Sequence, residues 1–427
     1  MKKLLENIDK KKFKVGIVGL GYVGLPLVNL FVKKRIEVIG VDTDTKKINK
    51  LKAGNSYISS KNLKNFKYFQ NKKANLSNNY KVLEKADVII ICLPTPLKKF
   101  KPDMRYIFKC AKKLSSMNLE NKVIILESTV FPGATNLFFK KVFSKKSLLL
   151  GKNIFLGYSP ERENPGDPNF SYKVTPKVIS GKTKNCLKIL EKIYSNIITK
   201  LVKAKNIESA ETSKLLENLY RSVNIGLVNE MKIICDKLSL DIFEIINLAS
   251  TKNFGFQKFL PGPGLGGHCI PIDPYYLSWI SKKHGYDPKF IRLSGIINQL
   301  MPRWVVNKLL SYFVKKPKVL ILGVSYKKNV DDDRESPAFE IMKILRKKRV
   351  SFDYNDPYFS KIRKGRQIKF SKKSIKLTKE KINNYDAVLL VTDHDIYNYK
   401  FIYQSAKKIF DCRGVYKKFG YKEIVYC

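Results

Sequence analysis

Residues 14–26, KVGIVGLGYVGLP, decide the fold. KVGIVG reads as a buried parallel strand, and it runs without a linker into Gly19-Leu-Gly21-Tyr-Val-Gly24 and then an apolar helical run, LPLVNLFVKK. Gly19 permits a tight turn, Gly21 lets the backbone approach a pyrophosphate, and Gly24 allows helix and strand to pack, with the helix N-terminus facing the anion. A second strand, EVIGVD, ends in Asp42, about 20 residues on, where a carboxylate grips a ribose 2′-OH. An acid at that place favours NAD over NADP.

Further parallel-strand candidates follow at residues 86–93, 122–126, 154–157 and 177–180. The first three run into the polar loops PTP, ESTVFPGAT and YSPERENPGD. Ligands of a doubly wound sheet lie beyond the carboxyl ends of its strands, so Thr95, Thr129, Glu161 and Arg162 are candidates for one crevice. The two threonines also read plainly as turn or cap residues, and Glu161 as an acid at a helix start. From about residue 203 to 313 the pattern becomes helical. Lys214 and Asn218 are four apart and share a helix face, with Arg221 near it and Leu215, Leu219, Ile225 and Val228 as inward candidates. A solvated face is the ordinary expectation for a lysine in so lysine-rich a chain. At KVLILG (318–323) the α/β pattern restarts and echoes the first third, but VSYKKNVDDDRESP replaces the glycine fingerprint. That segment offers Lys327 and Arg334 to a phosphate-bearing ligand rather than a second dinucleotide cradle.

Between these halves lies PGPGLGGHCIPIDP (261–274), a glycine- and proline-rich loop that presents Cys269, with Asp273 four residues later. Such backbone suits close approach to a ligand, and the thiol is a candidate nucleophile or, alternatively, a small buried hydrophobe. His268 is a candidate thiol base, although adjacent side chains often diverge.

Composition bounds the remaining choices. The 427 residues exceed one hydrophobic core and predict two or three domains. The formal charge of +47 raises the question of nucleic acid, but it is lysine spread from end to end without a nucleic-acid motif, which fits solvated faces that attract anionic ligands. Seven cysteines with no CxxC pair argue against a disulfide framework or zinc site, and three histidines against a histidine-rich metal site. No apolar run approaches the ~18 residues of a membrane span, and the basic start lacks a signal-peptide core. A cytoplasmic protein with no membrane or nucleic-acid partner is expected.

Taken together in order, GxGYVGLP, PTP, ESTVFPGAT, SPERENPGD, ETSKLLEN, PGPGLGGHCIPIDP and SYKKNVDDDRESPAFE resemble the UDP-glucose/GDP-mannose dehydrogenase family over nearly the whole chain. PGPGLGGHCIPIDPYYLSW with SPERENPGDPNFSYKVTPKV looks most like the branch that oxidises UDP-N-acetylhexosamines, UDP-N-acetylglucosamine above all. UDP-N-acetylgalactosamine, UDP-N-acetylmannosamine and UDP-glucose are the alternatives, and a single-step NAD hydroxyacid dehydrogenase is the alternative of another class. The resemblance implies an α/β fold of two Rossmann-like parallel-sheet domains joined by a central helical domain. The expected divisions are 1–202 for NAD, 203–313 with the cysteine loop and dimer contacts, and 314–427 for the UDP-sugar.

It also implies roles. Family members oxidise the sugar C6 alcohol to a carboxylate with two NAD+, holding the aldehyde on a cysteine as a thiohemiacetal and then a thioester, for surface polysaccharide biosynthesis. Cys269 matches the nucleophile. Lys214 and Asn218 match donors to the C6 oxygen, Asp273 and Glu161 the carboxylates of water activation and proton transfer, and Thr129 the residue that positions water. Gly19, Gly21, Tyr22, Val23, Gly24, Asp42, Thr95, Thr129 and Arg334 match NAD contacts. Glu161, Arg162, Glu163, Lys214, Asn218, Arg221, Gly264, Tyr326 and Lys327 match UDP-sugar contacts. Ile270, Pro271 and Ile272 stand where UDP-glucose enzymes carry a lysine between cysteine and aspartate, a departure that weakens that assignment. A homodimer through the central helices is implied.

Overall fold

The computed structural model describes residues 1–58, 74–98, 100–142, 148–162, 175–267, 270–365 and 368–427. The chain forms two compact units. One comprises Met1–Glu217 with Tyr275–Tyr286, the other Asn218–Pro274 with Asp287–Cys427.

The first unit is built on an eight-stranded sheet in the order Leu201–Lys203, Lys177–Gly181, Ile154–Tyr158, Lys122–Leu126, Val88–Ile91, Lys14–Val18, Glu37–Val41, Ala74–Ser77. Strand residues alternate between two faces, and both faces are buried, which is why these strands read as unbroken apolar runs. Val15, Ile17, Val88, Ile90, Val123 and Ile125 join one core with Leu25, Val28 and Phe31 of helix Gly24–Lys33 and Ile189 and Ile193 of helix Lys184–Ser195. The alternating Ile89, Ile91, Ile124 and Leu126 are equally sealed. Register places Val18 beside Val41 and Ile91, so the loops after these strands open at one edge of the sheet.

The expectation of parallel pairing fails at one place. Strand Lys177–Gly181 runs antiparallel to Ile154–Tyr158, while Leu201–Lys203 runs parallel to Lys177–Gly181. Reversal brings the start of the 177–181 strand to the carboxyl ends of its neighbours. There the buried Lys177 ammonium reaches Glu127 Oε2 at 3.0 Å, and Glu127 also accepts from the Tyr194 hydroxyl. A parallel strand would leave that buried carboxylate without its cation. The Ala74–Ser77 and Leu201–Lys203 edge strands carry no long apolar run and were not anticipated from the sequence.

The second unit holds a five-stranded, wholly parallel sheet in the order Phe352–Asn355, Val319–Leu322, Ala387–Leu390, Ile409–Asp411, Ile424–Tyr426. Helix Pro337–Lys347 is capped by Ser336, whose Oγ accepts from Ala338 N, and it packs Ala338, Ile341, Met342 and Leu345 into the sheet core. Ahead of the sheet in sequence come helices Ile207–Lys237, Ile242–Ala249, Asp273–Lys283 and Lys289–Leu310. The architecture is thus α/β, with two Rossmann-like parallel-sheet regions and a helical region between them in the chain.

Candidate active site

Along helix Ile207–Lys237, Glu211, Lys214 and Leu215 of the first unit are buried, as are Asn218, Leu219 and Ser222, which belong to the second. The expected solvated lysine face is therefore wrong for Lys214, which is 6% exposed. Its Nζ lies 3.7 Å from Glu161 Oε2. Burial pushes the Glu161 carboxyl above its ordinary range; the Lys214 and Lys177 charges oppose this, while Glu127 and Glu217 add to it. Glu161 Oε1 is buried with no hydrogen-bond partner. A carboxyl with a raised proton affinity beside a buried ammonium is suited to exchanging a proton with a bound group. Arg162 follows it, giving Nη1–H to the Pro176 carbonyl at 2.8 Å and Nη2–H to Glu217.

Two loops at the carboxyl edge of the first sheet are stitched together by their own side chains. Thr95 Oγ1 donates to the Thr129 carbonyl at 2.7 Å, Ser128 Oγ donates to the Leu93 carbonyl at 2.7 Å, and the Tyr276 hydroxyl donates to the Thr95 carbonyl. Thr95 therefore fixes the Thr129 backbone. The half-buried Thr129 stays at the surface of that edge. Glu211, not singled out from sequence, anchors the same region. Its carboxylate accepts from Gly133 N at 2.6 Å, Thr135 N at 2.8 Å and Thr135 Oγ1 at 2.5 Å, and burial pushes its pKa up to about 7 against those bonds. Its place three residues before Lys214, on the stripe with Leu215, is the signal that would have found it.

The glycine fingerprint has the shape a dinucleotide needs. A Cβ on Gly24 would sit 1.9 Å from the Gly19 carbonyl oxygen, and one on Gly19, at φ +93°, would sit 2.5 Å from the Cys92 carbonyl. A Cβ on Gly21 would meet nothing within 4 Å, so this glycine is not required by packing and leaves room for a ligand. Asp42 Oδ2 accepts from Leu20 N at 2.9 Å and Oδ1 from Asp44 N at 2.9 Å, which leaves lone pairs on a partly exposed carboxylate beside the half-buried Tyr22 and Val23 loop. These residues fit a bound NAD.

In the second unit, Asn218 Nδ2 donates to Asp273 Oδ2 at 2.5 Å, and both side chains are buried. Asp273 begins its helix, where the carboxylate complements the positive end. A two-asparagine ladder supports the preceding loop. Asn229 Oδ1 accepts from Gly262 N at 2.9 Å, Asn229 Nδ2 donates to Asn298 Oδ1 at 2.9 Å, and Asn298 Nδ2 donates to the Ser222 carbonyl at 3.0 Å. Pro302 lies inside helix Lys289–Leu310 and cannot donate to the Asn298 carbonyl, which faces Gly264 at 3.4 Å from its would-be Cβ. Gly266 presses on the Tyr326 Cβ and Gly267 on its ring, and Gly267 N donates to the Arg334 carbonyl at 2.8 Å. Tyr326 and Lys327 are half-buried, and Arg334 makes a two-pronged pair with Asp332 through Nε at 2.9 Å and Nη2 at 2.6 Å. Arg221 is exposed and so leaves the stripe of Lys214 and Asn218. Cys269, His268 and Glu163 lie outside the described residues.

Three family models match in order: the UDP-glucose/GDP-mannose dehydrogenase family NAD binding domain over residues 13–198, its central domain over 208–300 and its UDP binding domain over 320–418. The chain belongs to the UDP-glucose/GDP-mannose dehydrogenase family. It is an NAD-dependent nucleotide-sugar dehydrogenase whose last domain takes the UDP portion of the substrate. The dehydrogenase is 35% identical over 415 residues to Protein CapL of Staphylococcus aureus, covering 94% of this chain and 96% of that one. It is 35% identical over 359 residues to UDP-N-acetyl-D-glucosamine 6-dehydrogenase of Pseudomonas aeruginosa, covering 82% and 84%. The solved structure of a UDP-D-ManNAc dehydrogenase from Pyrococcus horikoshii matches at a TM-score of 0.83 and 28% identity, covering 94% and 95%. Among the described residues of the dehydrogenase, no helix is long and apolar enough to cross a membrane.

Proposed function

We propose that this dehydrogenase oxidises the C6 hydroxyl of a UDP-N-acetylhexosamine, UDP-N-acetylglucosamine in first place, to the uronic acid in two oxidations, for surface polysaccharide synthesis. Bound NAD+ supplies the hydride acceptor for each. The observation that carries the reading is the burial of four polar side chains in two pairs, Lys214 with Glu161 and Asn218 with Asp273, on the motifs that flank the Cys269 loop. Buried polar groups of this kind cost stability unless they serve a ligand or one another.

In this scheme Lys214 and the Asn218 amide donate to the C6 oxygen and stabilise the charge that develops there. Glu161 receives or returns a proton at that oxygen, its raised proton affinity favouring that exchange. The Cys269 thiolate adds to the C6 aldehyde to give a thiohemiacetal, whose oxidation gives a thioester. Asp273 activates the water that hydrolyses the thioester, Thr129 holding that water. Gly19, Gly21, Tyr22, Val23, Gly24, Asp42, Thr95, Thr129 and Arg334 hold NAD; Arg162, Glu163, Arg221, Gly264, Tyr326 and Lys327 hold the UDP-sugar.

We assign the chain to a cytoplasmic homodimer divided at 1–202, 203–313 and 314–427. Support for the dimer comes from a heptad-spaced row of exposed apolar residues on one helix, Tyr220, Leu227 and Ile234, with Leu293, Ile296 and Leu300 on another. Leu227→Glu is expected to give a monomer by sedimentation.

The test is a panel of UDP-sugars with NADH as readout, wild type beside Cys269→Ser. Two NADH per sugar are expected, with UDP-N-acetylglucosamine preferred and the variant unable to form the acid. One NADH per sugar with a fully active variant would sink the thioester scheme, and preference for UDP-glucose would sink the N-acetyl assignment. The name of the P. horikoshii structure makes UDP-N-acetylmannosamine the second substrate to try.

A further inference from the structure

The loop at residues 324–336 carries Tyr326, Lys327 and Arg334, yet it lies beyond a strand end with no helix or sheet bond of its own to hold it. Specific side chains fix its start and its middle. Val324 N and Ser325 N donate to Asp356 Oδ2 at 2.6 and 3.0 Å, and Thr392 Oγ1 donates to the Ser325 carbonyl at 2.6 Å. Midway, Asn329 takes a left-handed backbone at φ +61° and donates its N–H to His394 Nδ1 at 3.0 Å. His394 Nε2 faces Asp356 Oδ2 at 3.2 Å, and neither side chain has any exposure. Accepting at Nδ1 leaves Nε2 to face Asp356 as the donor nitrogen. The Asn329 side chain closes the same clasp through Asp395: Nδ2 donates to Oδ2 at 2.5 Å and Asp395 N donates to Oδ1 at 3.0 Å.

We propose that His394 is a positioning residue for the UDP-sugar: it holds the 324–336 loop through the Asn329 main chain and, by way of Tyr326 and the Arg334 carbonyl, braces the glycine run ahead of Cys269. The brace is visible at Gly267, which donates to the Arg334 carbonyl at 2.8 Å, and at Gly266, whose would-be Cβ lies 2.6 Å from Tyr326 Cβ. Asp356 has five protein donors besides His394, namely Val324 N, Ser325 N, Ser325 Oγ, Tyr358 N and Phe359 N. The imidazole is therefore not needed to satisfy the aspartate; its distinctive contribution is the acceptor for Asn329.

This inference rests on the UDP-sugar reading of Tyr326 and Lys327. Two substitutions separate the nitrogens. His394→Gln keeps a donor near Asp356 and removes the Nδ1 acceptor, whereas His394→Asn places a carbonyl oxygen near Nδ1 and gives up the Nε2 donor. Calorimetry of UDP binding to the full chain is expected to show His394→Gln weakened about tenfold and His394→Asn within about threefold of wild type. In turnover the same pattern appears as a raised KM for the UDP-sugar at unchanged KM for NAD+. Equal UDP affinity in His394→Gln and wild type, or equal losses in both variants, would overturn the proposal. If His394→Gln does not fold, Asp395→Ala releases the exposed part of the clasp and is expected to weaken UDP about threefold; unchanged binding there would refute it. A wild-type chain that fails to bind UDP would overturn the UDP-sugar reading itself, and this inference with it.

Discussion

The two α/β halves use the same turn for opposite ends. In the first, Gly19 follows the opening strand at φ +93°, Leu20 N donates to Asp42, and Asp42 is the residue after the second strand. In the second, Gly323 stands at φ +85°, Val324 N donates to Asp356, and Asp356 again follows the second strand. Only the surroundings of the carboxylate differ. Asp42 keeps 11% side-chain exposure beside a short glycine loop, whereas Asp356 has none and is sealed under His394. One strand-turn-strand clasp thus keeps a partly exposed carboxylate, and the other is a structural anchor for a long loop. The contrast teaches that a fold can be repeated while its site is closed by one buried partner.

The comparison can be broken at several points. The largest effect is expected at Gly24→Ala, whose methyl would meet the Gly19 carbonyl at 1.9 Å; a loss of about 3 kcal/mol or failure to fold should appear in denaturant unfolding. Gly21→Ala, with open space around it, should unfold like wild type and lose at least about tenfold in NAD affinity by fluorescence titration. If both alanines behaved alike, packing and ligand approach would not be separable in this loop.

Next comes the pair of carboxylates. Asp356→Ala should cost about 3 kcal/mol, since it strips a buried acceptor from several donors, while leaving NAD affinity unchanged where the protein is folded. Asp42→Ala should do the reverse, costing about 1 kcal/mol of stability or less but weakening NAD about tenfold. A loss of NAD binding in Asp356→Ala with the fold intact would contradict the closed reading of the second half.

Acid sharpens the same contrast. Burial by itself would raise the Asp356 carboxyl, but the His394 hydrogen bond, with the backbone N–H groups of Val324 and Tyr358, holds it below its ordinary value of 3.8. A depressed acid contributes stability above its unfolded pKa and loses it as pH falls through the folded one. Wild type should therefore exceed Asp356→Asn in stability at neutral pH, and the gap should shrink only below about pH 4 in a series of melts. The smallest effect is expected at Lys328→Ala. It removes an exposed pair to Asp395 at 3.1 Å and should change stability by under about 0.5 kcal/mol.

Much of this was legible before any coordinates. Period and punctuation placed the opening strand, the fingerprint helix and the restart near residue 318 within a residue or two of Lys14–Val18, Gly24–Lys33 and Val319–Leu322, because those signals are local. Family motifs carried the candidate residues. What local reading missed is instructive. It took Lys214 as solvated by default, ran strand 177–181 the wrong way beside its neighbour, and passed over Glu211 and His394.

Sequence by itself determined the two α/β halves, the NAD fingerprint and the motif order that defines the family, since each depends on residues a few positions apart. Tertiary structure decided which polar groups are buried and what they face. Asn218 meets Asp273 across 55 residues, Thr135 meets Glu211 across 76 and Asn329 meets His394 across 65. Burial and partnership at such separations arise only when distant strands and helices pack, so no spacing rule could state in advance that one aspartate stays open and its counterpart is sealed.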